Sequence, residues 1–257
     1  MNKPQSTKAL LLWFFLLGIF DIILQLATLP TGMNLFAGVG VSSLVVVFAT
    51  SAILRLQGIP FTAGTSGPIP SQHNLILSAI LAVAGLAPTA FLADLSSRIK
   101  GVPDFFLQTL ADSMPTTTPE IIIAFLAVGV AVPFVEELLF RGFLQRALRR
   151  TWGSWPAIII SALAFGIIHM EPWYLFGLVG VGILLGYIYE KTGSILASTV
   201  THGVYNTISF TIMLNSDPFA PVGQYHWWDF VLLGVSVVVL VKFLPMLHSA
   251  RSSTSSS

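Results

Sequence analysis

Two adjacent carboxylates, Glu136 and Glu137, sit inside a long apolar run, AFLAVGVAVPFVEELLFRGF. A charge at bilayer depth costs on the order of a few kcal/mol, so an acidic pair there marks a functional site by default. Two further apolar segments each carry a histidine, His169 and His202. Carboxylates and imidazoles exchange protons with a reacting group and also ligate metals. Helices that bring these side chains to one layer build a polar site between transmembrane segments.

The local spacing refines this picture. Glu137 and Arg141 are four apart with the acid first, the favourable order for a helical ion pair. Glu136 points about 100° away around the same helix and is left without a local partner. A carboxylate in a low-dielectric site without a cation binds a proton more readily, which suits a general base. His169 follows Phe165 by four residues, and His202 precedes Asn206 by four, so an imidazole and a carboxamide share a face. Donors of that kind stabilise a developing oxyanion. The turn TWGS is centred between Trp152 and Gly153, and Glu136 and His169 are equidistant from it in sequence. In an antiparallel pair of regular helices both lie at one depth, about 25 Å from the tip at ~1.5 Å per residue. The next turn, EKTG, brings His202 and Asn206 back toward that level. Singly, each group has a structural reading: a buried Glu–Arg pair, a histidine before Glu171-Pro172, or an interhelical hydrogen bond worth about 1 kcal/mol. Their joint occurrence favours a shared site. His73, His226 and His248 fall in loops or near ends and receive no role.

The elements that must position these groups are membrane helices. Of 257 residues, 54% are hydrophobic and only 9% charged, against about 25% charged in soluble domains. Eight apolar segments, about 9–29, 35–56, 74–95, 119–148, 156–170, 172–190, 194–214 and 227–247, approach or reach the ~20 residues a span requires. The expected fold is all-α, a polytopic bundle of about eight transmembrane helices with a polar intramembrane site. Residues 1–118 hold the first three helices and their loops, 119–214 the catalytic core, and 215–248 the last helix. The tail 249–257 reads as disordered.

The run from Ala9 to Leu29 exceeds a signal-peptide core of about 7–15 residues and reads as a retained first helix. The fourth segment ends in a basic extension, RGFLQRALRR. QGIPFTAGTSGPIPSQH reads as a loop, and PDFFLQTLADSM as either a short interfacial helix or a loop. With the N-terminus inside, ten basic residues fall on the inner side and two, Arg98 and Lys100, on the outer. That bias supports an even number of spans with both termini cytoplasmic. Trp152, Trp155, Trp173, Trp227 and Trp228 fall near helix ends, as interfacial aromatics do. A net charge of +1 offers no basic surface for nucleic acid, and the absence of cysteine excludes thiolate nucleophiles and cysteine-bound metals. No internal repeat is evident, which weighs against an inverted-repeat, proton-coupled transporter.

Three blocks, EELLFR at 136–141, FGIIH at 165–169 and HGVYN at 202–206, resemble the EExxxR, FxxxH and HxxxN pattern of the CPBP intramembrane proteases. That family takes in CAAX prenyl proteases and bacteriocin-processing or Abi proteins. The resemblance covers about residues 119–214. It implies about eight helices around a membrane cavity open to the cytosol, and hydrolysis of a peptide bond near the terminus of a lipid-modified or membrane-associated substrate. By position, Glu136 activates water with help from His169, while His202 and Asn206 polarise the carbonyl. Glu137 and Arg141 order the helix or gate the substrate, and Phe165 shapes the cavity wall. Two schemes stand open: a zinc enzyme with Glu136, His169 and His202 as ligands, or metal-free glutamate catalysis, which the fit of Asn206 to an oxyanion role favours. HExxH is absent. The expected partners are a peptide or protein substrate, prenylated or plain, and the lipid bilayer, with a bacterial plasma membrane as the expected location. The competing reading is a bacteriocin-immunity or scaffold protein that binds in the same cavity without cleaving.

Overall fold

A computed structural model describes residues 6–28, 34–56, 67–217, 219 and 225–248. Most of the Gly/Pro-rich loop and the tail 249–257, read above as a loop and as disordered, lie outside the described residues. The helices are α1 (Thr7–Thr28), α2 (Leu35–Leu56), α3 (Gln72–Lys100) and α4 (Asp104–Asp112). There follow α5 (Thr118–Trp152), α6 (Ser154–Ile168), α7 (Leu175–Thr192), α8 (Ile195–Leu214) and α9 (Trp227–Phe243). No strand occurs among the described residues. The protein is an all-helical, polytopic membrane protein.

Among the described residues each of the eight apolar segments forms a helix over most of its length, and six are long and apolar enough to cross a membrane: α1, α2, α3, α5, α7, and α9 with its extension to Met246. The two exceptions have different causes. α6 has 15 residues, about 22 Å at ~1.5 Å per residue, short of a hydrocarbon core of about 30 Å. α8 is long enough but carries Ser198, Thr201, His202, Tyr205 and Asn206. Its polar residues are accommodated because α8 packs against α3, α5 and α7 inside the bundle.

PDFFLQTLADSM contains the helix α4. Phe105 and Phe106 pack against the Trp173 ring at centroid distances of 6.5 and 4.9 Å. Trp173, expected at an interface, is instead buried beneath them, and its carbonyl accepts a hydrogen bond from Ser96 Oγ at 3.0 Å. α4 therefore covers the turn between the short α6 and α7. α3 packs on α7, α8 and α9, while α1 packs on α2 and on the second half of α5. Across the α3–α8 contact, Thr89 Oγ1 and Tyr205 Oη are 2.8 Å apart.

The contact that seats α8 on α5 admits no side chain at Gly203, where an added Cβ would collide with the Gly129 carbonyl oxygen. Close helix approach through small residues is a general device of membrane bundles. Gly203→Ala is expected to destabilise the protein by about 1–3 kcal/mol through overpacking. Gly234→Ala, where a Cβ meets nothing within 4 Å, is expected to be neutral or slightly stabilising. Thermal unfolding in detergent checks both; equal midpoints would refute the close-approach account.

Candidate active site

α5 is not a uniform helix, and its irregularities place the site. Pro133 has no N–H to give and crowds the preceding turn. The chain widens into a π turn over Ala127–Ala131, so that the Val132 N–H bonds the Ala127 carbonyl, five residues back. The next carbonyl in that register, Val128, faces Pro133 and has no backbone donor. Asn206 Nδ2 of α8 supplies one at 3.2 Å. In a membrane every such carbonyl needs a partner, so Asn206 ties α8 to α5 about two turns before the acidic pair.

A second π segment, Leu138–Gln145, follows the carboxylates and is buried throughout. Arg141 Nη2 donates to the Gly182 carbonyl of α7 at 3.0 Å, and Gln145 Nε2 to the Gly186 carbonyl at 2.9 Å. Two side chains one turn apart thus dock on two glycine carbonyls one turn apart. The expected Glu137–Arg141 pair forms, with Arg141 Nε 3.2 Å from Glu137 Oε2 and both side chains fully buried. Its alignment does not make a hydrogen bond, so it is a charge contact.

Glu137 also reaches across to α8. Its Oε1 is 3.0 Å from His202 Nδ1, and because a carboxylate accepts, Nδ1 is the protonated nitrogen. His202 Nε2 then faces Glu136 Oε2 at 3.6 Å. On the other side, His169 Nδ1 donates to the Phe165 carbonyl at 2.7 Å, turning Nε2 toward Glu136 Oε1 at 4.0 Å. The Phe165 ring lies 4.6 Å from the His169 ring and 5.7 Å from the His202 ring, with the Arg141 guanidinium 5.1 Å from its centroid. The side chains of Glu136 and His169 are 23% and 25% exposed, whereas Glu137 is sealed. Glu136 and His169 are the members of this acid–imidazole cluster most open to an incoming molecule.

Six of the seven expected residues therefore meet directly: Glu136, Glu137, Arg141, Phe165, His169 and His202. Asn206 lies one turn beyond His202 and bonds the α5 backbone. Glu136, which has no cation one turn away on α5, gains His202 and His169 as neighbours from α8 and the end of α6. The sequence reading passes over Gln145, a fully buried amide, and Asp21, a lone carboxylate in the first apolar run.

Glu136, His169 and His202 are the candidate zinc ligands, but their facing atoms are 3.6 and 4.0 Å apart. Ligands sharing a tetrahedral zinc at ~2.0–2.1 Å lie about 3.4 Å from one another. No group of three histidine or acidic side chains among the described residues is arranged to hold a metal ion. The facing atoms stand slightly wider than a shared zinc would hold them.

Comparison with known proteins agrees with the three blocks. Residues 118–208, which contain all of them, match the family model described as Type II CAAX prenyl endopeptidase Rce1-like. The part of the chain that carries the three blocks is similar to proteins of the CPBP family. It is 25% identical over 201 residues to the "Putative membrane peptidase YdiL" of Bacillus subtilis (strain 168), covering 74% of this chain and 77% of that protein. A second B. subtilis protein, the "Uncharacterized protein YpbD", is 36% identical over 79 residues, 30% of this chain and 39% of its own length. The "UPF0177 protein YxdF" of Lactococcus lactis subsp. lactis (strain IL1403) is 26% identical over 98 residues, 38% of this chain and 54% of its own. No solved structure matches the chain. At family level, these similarities support a CAAX-type intramembrane protease.

Removing one partner of a buried ion pair strands the other. Arg141→Ala is expected to destabilise the protein by about 3–5 kcal/mol. Glu137→Leu combined with Arg141→Met should recover most of the lost thermal stability, because no charge is left unpaired. Unfolding midpoints of the single and double variants check this; a double variant no more stable than Arg141→Ala contradicts it.

Proposed function

We propose that the protein is a metal-free intramembrane endopeptidase in which Glu136 and His169 activate the attacking water. The observation that carries this reading is the 4.0 Å separation of Glu136 Oε1 and His169 Nε2, both partly exposed. That gap is too long for a direct hydrogen bond and within the span of one bridging water. The Phe165 carbonyl fixes the proton of His169 on Nδ1 and leaves Nε2 to accept from such a water.

Glu136 takes the water proton as the oxygen attacks the carbonyl carbon. The electron pair of the carbonyl moves onto its oxygen, where His202 Nε2–H and the second amide hydrogen of Asn206 donate to it. When the C–N bond breaks, Glu136 passes its proton to the departing amine nitrogen. For His202 to donate from Nε2 it must be doubly protonated, and the Glu137 carboxylate on Nδ1 stabilises that charge. The Glu137–Arg141 pair positions His202 and does not meet the substrate. Phe165 spaces the two imidazoles.

The substrate is a peptide bond near the terminus of a membrane-associated or lipid-modified protein, and the family match over 118–208 supports this choice. Bacterial relatives support a bacterial plasma membrane. The positive-inside bias supports cytoplasmic termini.

Purified protein incubated with a panel of prenylated and unmodified peptides, read by mass spectrometry, tests the reading. Wild type should yield new products, and Glu136→Gln should lose at least about 10²–10⁴-fold in rate while remaining folded. Asn206→Ala should lose about 10²–10³-fold, as removal of an oxyanion donor does. Retained turnover by Glu136→Gln overturns the assignment. No cleavage by folded wild type favours the non-catalytic binding protein instead.

A further inference from the structure

A recess opens on the face of α7 that turns away from the acid–imidazole cluster. Gly182 and Gly186 present their carbonyls to Arg141 and Gln145 of α5. Ile183 and Tyr187 instead line a cavity of about 470 Å³ between α7, α3 and α9. Leu92 of α3, with Leu240 and Leu244 of α9 and its extension, forms the other walls. From Gly180 to Tyr187 the groove follows seven residues of α7, about 10 Å. Its walls are apolar but for Thr89, whose hydroxyl is taken up by the Gly85 carbonyl and by Tyr205, and for the aromatic pair Trp155 and Tyr187, whose ring centroids are 6.0 Å apart. A groove of ligand-site size with such walls takes hydrocarbon rather than water.

The aromatic end carries charge. Lys191 follows Tyr187 by one turn on the same face of α7, and its Nζ lies 5.4 Å from that ring's centroid. Lys242 stands in the last turn of α9, beside Val241 of the groove, with Nζ 5.7 Å from the Phe243 centroid. Leu240, Phe243 and Leu244 pack on the cluster that contains Leu184 and Ile188, so the last turns of α7 and α9 lie side by side. Both lysines are exposed. The neighbouring acid, Glu190, is engaged by Arg149 at 2.9 Å and by Ser154 at 2.6 Å. Neither lysine has an acidic partner among the described residues.

An apolar recess with two cations at its aromatic end matches a molecule that joins hydrocarbon to an anion. We propose that the groove between α3, α7 and α9 holds an anionic bilayer phospholipid, its acyl chain against Ile183 and Leu240 and its phosphate at the Lys191–Lys242 end. Basic side chains at the membrane surface favour anionic over zwitterionic lipid, so charge selects the lipid and the recess fixes its place. The bound lipid braces α7 from the side opposite Arg141 and Gln145. This inference does not depend on the peptidase reading.

Native mass spectrometry of delipidated protein in detergent, titrated with phosphatidylglycerol or phosphatidylcholine of identical acyl chains, tests it. Wild type should bind one phosphatidylglycerol more tightly than phosphatidylcholine, by about fivefold for each lysine. Lys191→Gln with Lys242→Gln should erase that preference, and Lys191→Arg with Lys242→Arg should keep it. Arg55→Gln, a charge lost from α2 outside the groove, should leave it unchanged. Ile183→Trp, which fills the recess, should weaken both lipids. The lysine variants carry the test even if Ile183→Trp does not fold, because both side chains are exposed. Equal binding of the two lipids by wild type overturns the inference, and so does a preference that survives the double glutamine variant. A lipid-free mass of two chains that phosphatidylglycerol does not separate also overturns it and gives the groove to a second copy.

Discussion

Everything at this site depends on one fully buried carboxylate, Glu137. An unpaired charge in the bilayer interior is costly enough to unfold the helix pair around it. Glu137 is held by Arg141 on its own helix and by His202 from α8. Arg141 is in turn fixed to the backbone of α7. A single charge therefore joins three helices, and the direction in which His202 presents Nε2 follows from it. Glu136, one residue earlier, is freed from any such duty and stays partly exposed. The division of labour between neighbouring acids is one of burial, with the sealed member structural and the open member available for chemistry.

The second constraint is the proline three residues before Glu136. Pro133 leaves a backbone carbonyl without a donor, and the wide turn before it directs that carbonyl at α8. Asn206 meets the need with one amide hydrogen and keeps the other. Asn206 thereby fixes the depth of α8 against α5, with Gly203 allowing the backbones to touch. A helical defect that would be a liability in isolation becomes the feature that registers two helices at the site.

Much of the site was legible in sequence because its chemistry is local. Glu137 and Arg141 pair at helical spacing, and equal distances from the Trp152–Gly153 turn bring Glu136 to His169. What could not be read depends on which helices touch. The bond from Glu137 to His202 joins residues 65 apart, and no periodicity announces it. The π turns of α5 depart from the regular rise assumed for matching depths, and only the crossing with α8 explains the first of them. α6 and α8 read as ordinary spans by apolar content, yet one is too short and the other too polar to stand alone in lipid. Trp173 was read from its place near a helix end, whereas the packing of α4 decides its burial. Asp21 did give a signal, a single charge in an apolar run, but its partner at helical spacing, Gln25, does not link it to the three blocks.

The claim that matters most is that a water activated at Glu136, without a metal, opens the peptide bond. Single-turnover cleavage in ¹⁸O-labelled water, after exhaustive chelation, tests it directly. The account predicts one ¹⁸O atom in the new carboxylate of the product, at a rate that chelation leaves unchanged. Cleavage that disappears on chelation and returns with added zinc, or a product carboxylate lacking the label, would contradict it.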